Sequence, residues 1–312
     1  EVCKMGVDYI VTSGGVGPCR AGQYAQMHQN ILKELGFKTQ VLTLEAPRFQ
    51  LMDFLDKIQR INPLNLSYKA IWECIMRAWK KLSILDTIEQ TTHKIRPREV
   101  IKGSTTKAYK KVLNWISSAY TNREMDEAKE AALLELGKVD QIYRNDILKI
   151  GIIGEIYVLL EPASNLEIEE TLGNLGVEVH RSMYLTGWTQ DNTGGKGTKE
   201  HLSVKKAAAP YIPLCIGGHG QESVGHTVIY AKEGYDGVIQ MAPFTCIPEI
   251  VSRTILTKVS KDLDIPVLTF FLDEQTGKAG MATRLEAFVD LIRRQKLELQ
   301  ERSKKNESLF RN

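Results

Sequence analysis

Apolar positions along the chain follow two alternating rhythms. Tyr9-Ile10-Val11 and Phe37–Leu44 are strand-like runs. Ala21–Leu35 between them is helical in pattern and stops at Gly36. Strand, glycine-rich turn and helix in that order make half a βαβ unit. From about Arg48 to Arg144 the rhythm is helical. Leu51, Phe54, Leu55 and Ile58 recur at helix spacing, then Ile71, Trp72, Ile75, Met76 and Trp79, then Val112, Trp115, Ile116 and Ala119. Breaks near Pro63, Pro97 and Gly103 predict three or four helices, and Glu124–Asn145, rich in Ala, Glu and Leu, predicts one more. The strand rhythm returns at Leu148–Leu159. A helix over Asn165–Leu175, a strand over Val177–Tyr184 and a mobile glycine-rich loop over Asp191–Thr198 follow. Val204–Ala209 is helical, Ile212–Ile216 is a short apolar run, and Ser223–Glu233 is helical. Then come a strand over Gly237–Met241, a helix ending near Leu263, a strand over Pro266–Leu272 and a helix over Ala282–Leu297.

Strands alternating with helices predict parallel sheets, hence an α/β protein. The expected division is a first α/β domain over 1–47, a helical region over 48–147, a second α/β domain over 148–297 and a polar, helical or frayed extension over 298–312. Glu1–Met5 has the look of a helix tail, so the first domain is expected to be N-terminally incomplete.

Composition narrows the function. With 312 residues, 43% hydrophobic and 25% charged, the chain has an ordinary globular balance. A net charge of +3 without a basic stripe does not point to nucleic acid. No apolar run approaches the roughly 20 residues that span a bilayer, and no signal-peptide pattern opens the chain. Cys3, Cys19, Cys74, Cys215 and Cys246 are odd in number and widely spaced, with no Cys-x-x-Cys pair. This argues against a disulfide framework or a zinc ribbon and for a reducing, cytoplasmic setting. Cys74, among aromatics, and Cys215, in an apolar run, are expected to pack in the core, as are the tryptophans and methionines.

Two cysteines invite chemistry. Cys19 and Cys246 each follow a strand, in a proline-containing turn at the start of a helix. Unpaired N–H groups at a helix start favour the thiolate, the metal-binding form. The two could face each other across an interdomain cleft as metal ligands, or be small packing residues. Gly217-Gly218-His219-Gly220 ahead of Ser223 resembles a phosphate-cradling turn, with His219 as ligand or proton donor. It is neither a Walker A nor a GxGxxG sequence, and the glycines could simply serve a turn. Glu155, Glu161 and Asn165 after the third strand are active-site candidates or helix caps. Arg20 is a partner for an anionic group or a surface arginine. Asp273–Arg284 lines the same strand edge, or Thr283 caps the last helix.

Taken together, Gly14–Tyr24, which contains Gly-Pro-Cys-Arg-x-Gly-x-Tyr, resembles a segment of the 2-hydroxyglutaryl-CoA dehydratase and benzoyl-CoA reductase family. Gly154–Tyr157 with Asn165, Gly217–Gly225, Pro243–Glu249, Asp273–Gly277 and Thr283–Asp290 are similar to its CoA-substrate-specific activase-related branch. The resemblance covers both α/β portions in order. It implies two Rossmann-like domains with helical additions and a cysteine-held iron–sulfur cluster between them, of 4Fe–4S or double-cubane type. It implies an ATP-hydrolysing iron–sulfur activator as partner, which delivers one low-potential electron, and a homologous subunit or second copy of the chain. The implied substrate is an acyl-CoA thioester, reduced to a ketyl radical that eliminates water. Cys19 and Cys246 match family cysteines and are the implied ligands. Arg20, Glu155, Gly217, Gly218, His219 and Ser223, singled out above from the residues themselves, are the candidate cofactor-binding residues. A further family cysteine lies in a Cys-x-Pro-x-Lys-like segment that would precede Glu1. The alternatives are a non-catalytic electron-transfer or interaction module, and a cluster-free α/β protein binding a CoA-type or phosphorylated ligand.

Overall fold

The computed structural model describes residues 1–14, 19–45, 51–143, 146–193 and 197–309. The chain is α/β, with two separate parallel sheets and helices on the crossovers, the arrangement of Rossmann-like units. In the first sheet β1 (Tyr9–Ser13) pairs with β2 (Gln40–Leu44), from Tyr9 opposite Gln40 to Ser13 opposite Leu44. Helix α1 (Tyr24–Glu34) makes the crossover. Its Gln29 side chain accepts a hydrogen bond from the Val41 N–H at 2.7 Å, pinning helix to strand. Cys19 precedes a short 3₁₀ turn, Arg20–Gln23, so α1 itself begins later than the sequence pattern implies. Val2–Met5 is likewise a single 3₁₀ turn.

The helical region is α2 (Leu51–Arg60), α3 (Tyr68–Ile95), α4 (Ser104–Ser118) and α5 (Asn122–Gly137). Ser67 caps α3 through the Ala70 N–H, and Thr121 with Glu124 forms a complete capping box on α5. Ile84, Ile88, Val112, Ile116, Met125 and Leu136 form the core of α3–α5. The tryptophans and methionines do not all pack as expected. Trp72 and Met76 are exposed, because the inward stripe of α3 runs through Ile71, Ile75 and Trp79. Cys74 is off that stripe too and is exposed, its sulfur 3.2 Å from an Arg77 nitrogen.

The second sheet has the order β4-β3-β5-β6, with β3 (Leu148–Gly154), β4 (Val177–Arg181), β5 (Gly237–Pro243) and β6 (Val267–Leu272) all parallel. Strand alternation sends Ile150 and Ile152 to one face and Ile153 to the other. On the first face they pack with α7 (Ile168–Asn174) and α12 (Lys278–Leu309). On the second pack α9 (Lys199–Ala208), α10 (Gly220–Lys232) and α11 (Ile247–Leu263). A Cβ on Gly154 would collide with the Met241 carbonyl oxygen, so the carboxyl ends of β3 and β5 close tightly only with glycine there. The helical region is tied to the β4 edge by buried charge. Arg181 bonds Glu89 at 2.7 Å and Glu169 at 3.1 Å, and Arg98 meets Glu178 at 2.6 Å.

Several bounds differ from the sequence reading. The third strand ends at Gly154, and the apolar residues after it form a short helix, α6 (Ile156–Leu160), started by the Glu155 side chain. Helix α7 begins at Ile168 because Leu166 and Glu167 both take left-handed backbone, φ 58°. The expected loop over Asp191–Thr198 is preceded by a helix, α8 (Leu185–Asn192); Gly194–Lys196 lie outside the described residues. Thr283 is inside α12, bonded to the Ala279 carbonyl, and is not its cap. Among the described residues no helix is long and apolar enough to cross a membrane.

Candidate functional site

Cys19 follows β1 and Cys246 follows β5, each shortly beyond the carboxyl end of its strand. Cys246 is the N-cap of α11, with Pro248 in the first turn. Its sulfur accepts the Glu249 N–H, and it lies within electrostatic reach of Glu155 and Cys19. The two thiols singled out from sequence, 227 residues apart (246 − 19), are thus brought together. The expected acidification of Cys246 does not occur. Burial pushes its thiol up to about 11, outweighing the Glu249 N–H, and the charges of Glu249 and Glu155 act in the same upward sense. All five cysteines are free thiols. Cys215 is exposed rather than packed in the core, since Ile212–Ile216 forms a loop and not a strand.

Behind Cys246 lies a buried polar network. Glu249 has no exposure. Its carboxylate accepts from the Ser223 hydroxyl at 3.0 Å, the Gln240 amide at 2.8 Å and the Ser252 hydroxyl at 3.2 Å. Burial raises Glu249 to about 7 against the lowering effect of those donors. Ser223 is 2% exposed and committed to Glu249, which leaves its hydroxyl no part in cradling a phosphate. Sequence reasoning missed this role for Glu249; the signal was its spacing, three residues after an N-cap.

Gly217 and Gly218 take φ of 88° and 51° and swing the chain into α10. A Cβ on Gly218 would lie 3.0 Å from Pro248, so the loop seats against the first turn of α11. His219 follows. Burial lowers its pKa, opposed by Glu222 and Glu155. Glu155 caps α6 by accepting from the Val158 N–H at 3.1 Å, so the helix-cap alternative describes it. Asn165 accepts from the Ile168 N–H at 3.3 Å, while the N-cap position of α7 is held by Glu167. Arg20 is exposed beside Cys19.

Cys19, Cys215, Gly217, Gly218 and His219 line a cavity of about 900 Å³. Its other walls come from Gln90 and Lys94 of α3, from the end of β4, from α8 and from α9 and α10, including Trp188, Asp191, His201, Lys205, Glu222 and His226. Of these only Glu222 belongs to a run read from sequence, Gly217–Ser223, because the wall is assembled from separate helices. Cys246 sits beside the cavity and not on its wall. Among the described residues no group of three or more His, Cys, Asp or Glu is placed to hold a metal ion. The arrangement offers two thiols within electrostatic reach of each other, neutral imidazoles and carboxylates, groups suited to hydrogen bonding and proton transfer. No protein-family model matches the chain, and comparison with curated proteins finds no match.

Proposed function

We propose that this chain is the iron–sulfur-binding component of a 2-hydroxyacyl-CoA dehydratase-like or related reductase system, served by an ATP-hydrolysing activator. One observation supports the reading: Cys19, from the first α/β unit, lines a cavity of the second, within electrostatic reach of Cys246 at the start of α11. The donor chemistry fits at two positions, and Cys19 and Cys246 would hold the cluster there. When bound, such a cluster supplies one electron at low potential. The protein's own part is to hold Cys246 in place through Glu249 and to offer a cavity for the acyl group beside Cys19.

Anaerobic iron and acid-labile sulfide analysis of the reconstituted protein tests the reading. We expect stoichiometric iron and sulfide in the parent and loss of most of both in Cys19→Ala and Cys246→Ala. Colourless, iron-free protein after anaerobic reconstitution would overturn it. The second reading, a cluster-free α/β protein binding a CoA-type ligand, is favoured by the size of the cavity. Tight CoA binding that survives both cysteine substitutions would establish that reading instead.

A further inference from the structure

One wall of the cavity is far weaker than the others. Helix α8 (Leu185–Asn192) lines it through Thr186, Gly187, Trp188, Gln190, Asp191 and Asn192. So short a helix does not hold itself in water, and Thr186, Gly187 and Thr189 are poor helix formers. None of its residues is buried, whereas α10 on the adjoining wall buries eight, Val224 and Val228 among them. Little apolar burial therefore opposes the opening of α8, while α10 is locked to the sheet.

What holds α8 is polar and sits at its two ends. At the start, Asp86 of α3 accepts from the Thr186 N–H at 3.2 Å and from the Thr186 hydroxyl. At the end, Asp191 accepts from the Thr198 N–H at 2.9 Å and hydroxyl at 2.5 Å, tying the last turn of α8 to the N-cap of α9. Each latch is one carboxylate taking both donors of one threonine. The flanks are anchored independently. Before α8, Arg181 lies 4.4 Å from the centroid of the Tyr184 ring and is itself gripped by Glu89 and Glu169. After it, Thr198 caps α9 by accepting from the His201 N–H at 3.2 Å.

We propose that α8 is a lid over the cavity, latched by Asp86 and Asp191, whose release admits ligand to the cavity and to Cys19. Hydrogen bonds of this kind are exchanged for bonds to water when the lid lifts, so closed and open forms differ little in free energy. The lid rests on the cavity as a ligand site, common to both functional readings above, and not on the cluster.

Hydrogen–deuterium exchange of the iron-free full chain, read by mass spectrometry, tests the lid. Amides of α8 are expected to exchange at least about a hundredfold faster than those of α10. Asp86→Asn and Thr186→Val each weaken one latch, and each should speed the α8 amides a further threefold or so, about the effect of one lost hydrogen bond, with α10 unchanged. Slow exchange of α10 also shows that the variant is folded. The gate is read at Cys19, which lines the same cavity, by its rate of labelling with a bulky aromatic disulfide, located by peptide mass. Both variants should raise that rate by a similar factor, with Cys74, exposed on α3, as the unchanged control. Exchange of α8 as slow as that of α10, or unmoved by either variant, would make α8 a fixed wall and overturn the lid. Faster exchange without faster labelling of Cys19 would overturn the gate. Iron and sulfide content decides the cluster separately.

Discussion

At the scale of single residues, Glu249 shows best what burial does. A carboxylate with no exposure survives only because three side chains donate to it. Removing it leaves Ser223, Gln240 and Ser252 facing one another without an acceptor. Glu249→Ala is expected to cost about 2–4 kcal/mol, read as a lower urea midpoint with an unchanged slope. A loss below about 0.5 kcal/mol would mean that the network is dispensable. Cys19 and Cys246 were legible from sequence because a strand, a turn and a helix start are local patterns. The state of the Cys246 thiol was not, since desolvation depends on elements far along the chain. Cys74 and Cys215 illustrate the same limit. Apolar neighbours in sequence do not tell which side of a helix or loop a sulfur takes.

At the scale of elements, the long periodic helices and the β-branched strands were plain in the sequence, and α6 and α8 were not. Helix α8 contains Thr186, Gly187 and Thr189, poor helix formers. Its start is held from outside, by Asp86 of α3 accepting from the Thr186 N–H at 3.2 Å and from its hydroxyl. No local pattern announces such a cap. Between β4 and the helical region, Glu178 is bonded by His180 at 2.8 Å and Arg98 at 2.6 Å, which hold its carboxyl down to about 2. A native pKa below the unfolded one gives stability that is full above the ordinary carboxylate value and is lost as pH falls toward 2. Glu178→Gln is therefore expected to destabilise by about 1–3 kcal/mol at pH 7, and the gap should narrow by pH 3. Urea unfolding of both proteins at pH 7, 5 and 3 checks this. A gap independent of pH would assign the stabilisation to something other than the charge.

At the scale of the whole molecule, the two sheets are unequal. Among the described residues up to 45, only Thr39 and Leu42 are buried, whereas the four strands of the second sheet are covered by helices on both faces. A two-stranded sheet with so little core is marginal by itself. Amides of β1 and β2 are expected to exchange with deuterium at least about a hundredfold faster than those of β3 and β5. Equal protection would show that the small sheet opens only with the large one. The α/β class and the order of the two units followed from alternation along the chain. The strand order, with β3 between β4 and β5, did not, because pairing is decided by contacts between residues as far apart as Gly151 and Val238. One consequence of the Glu249 network reaches across that sheet. The residue that gives its N–H to the Cys246 sulfur also grips Gln240 on β5 and Ser223 on α10. The sulfur is geared to the strand beneath it and to the neighbouring helix. A spectroscopic label on Cys246 would act as a dial gauge for how those two helices are seated on the sheet.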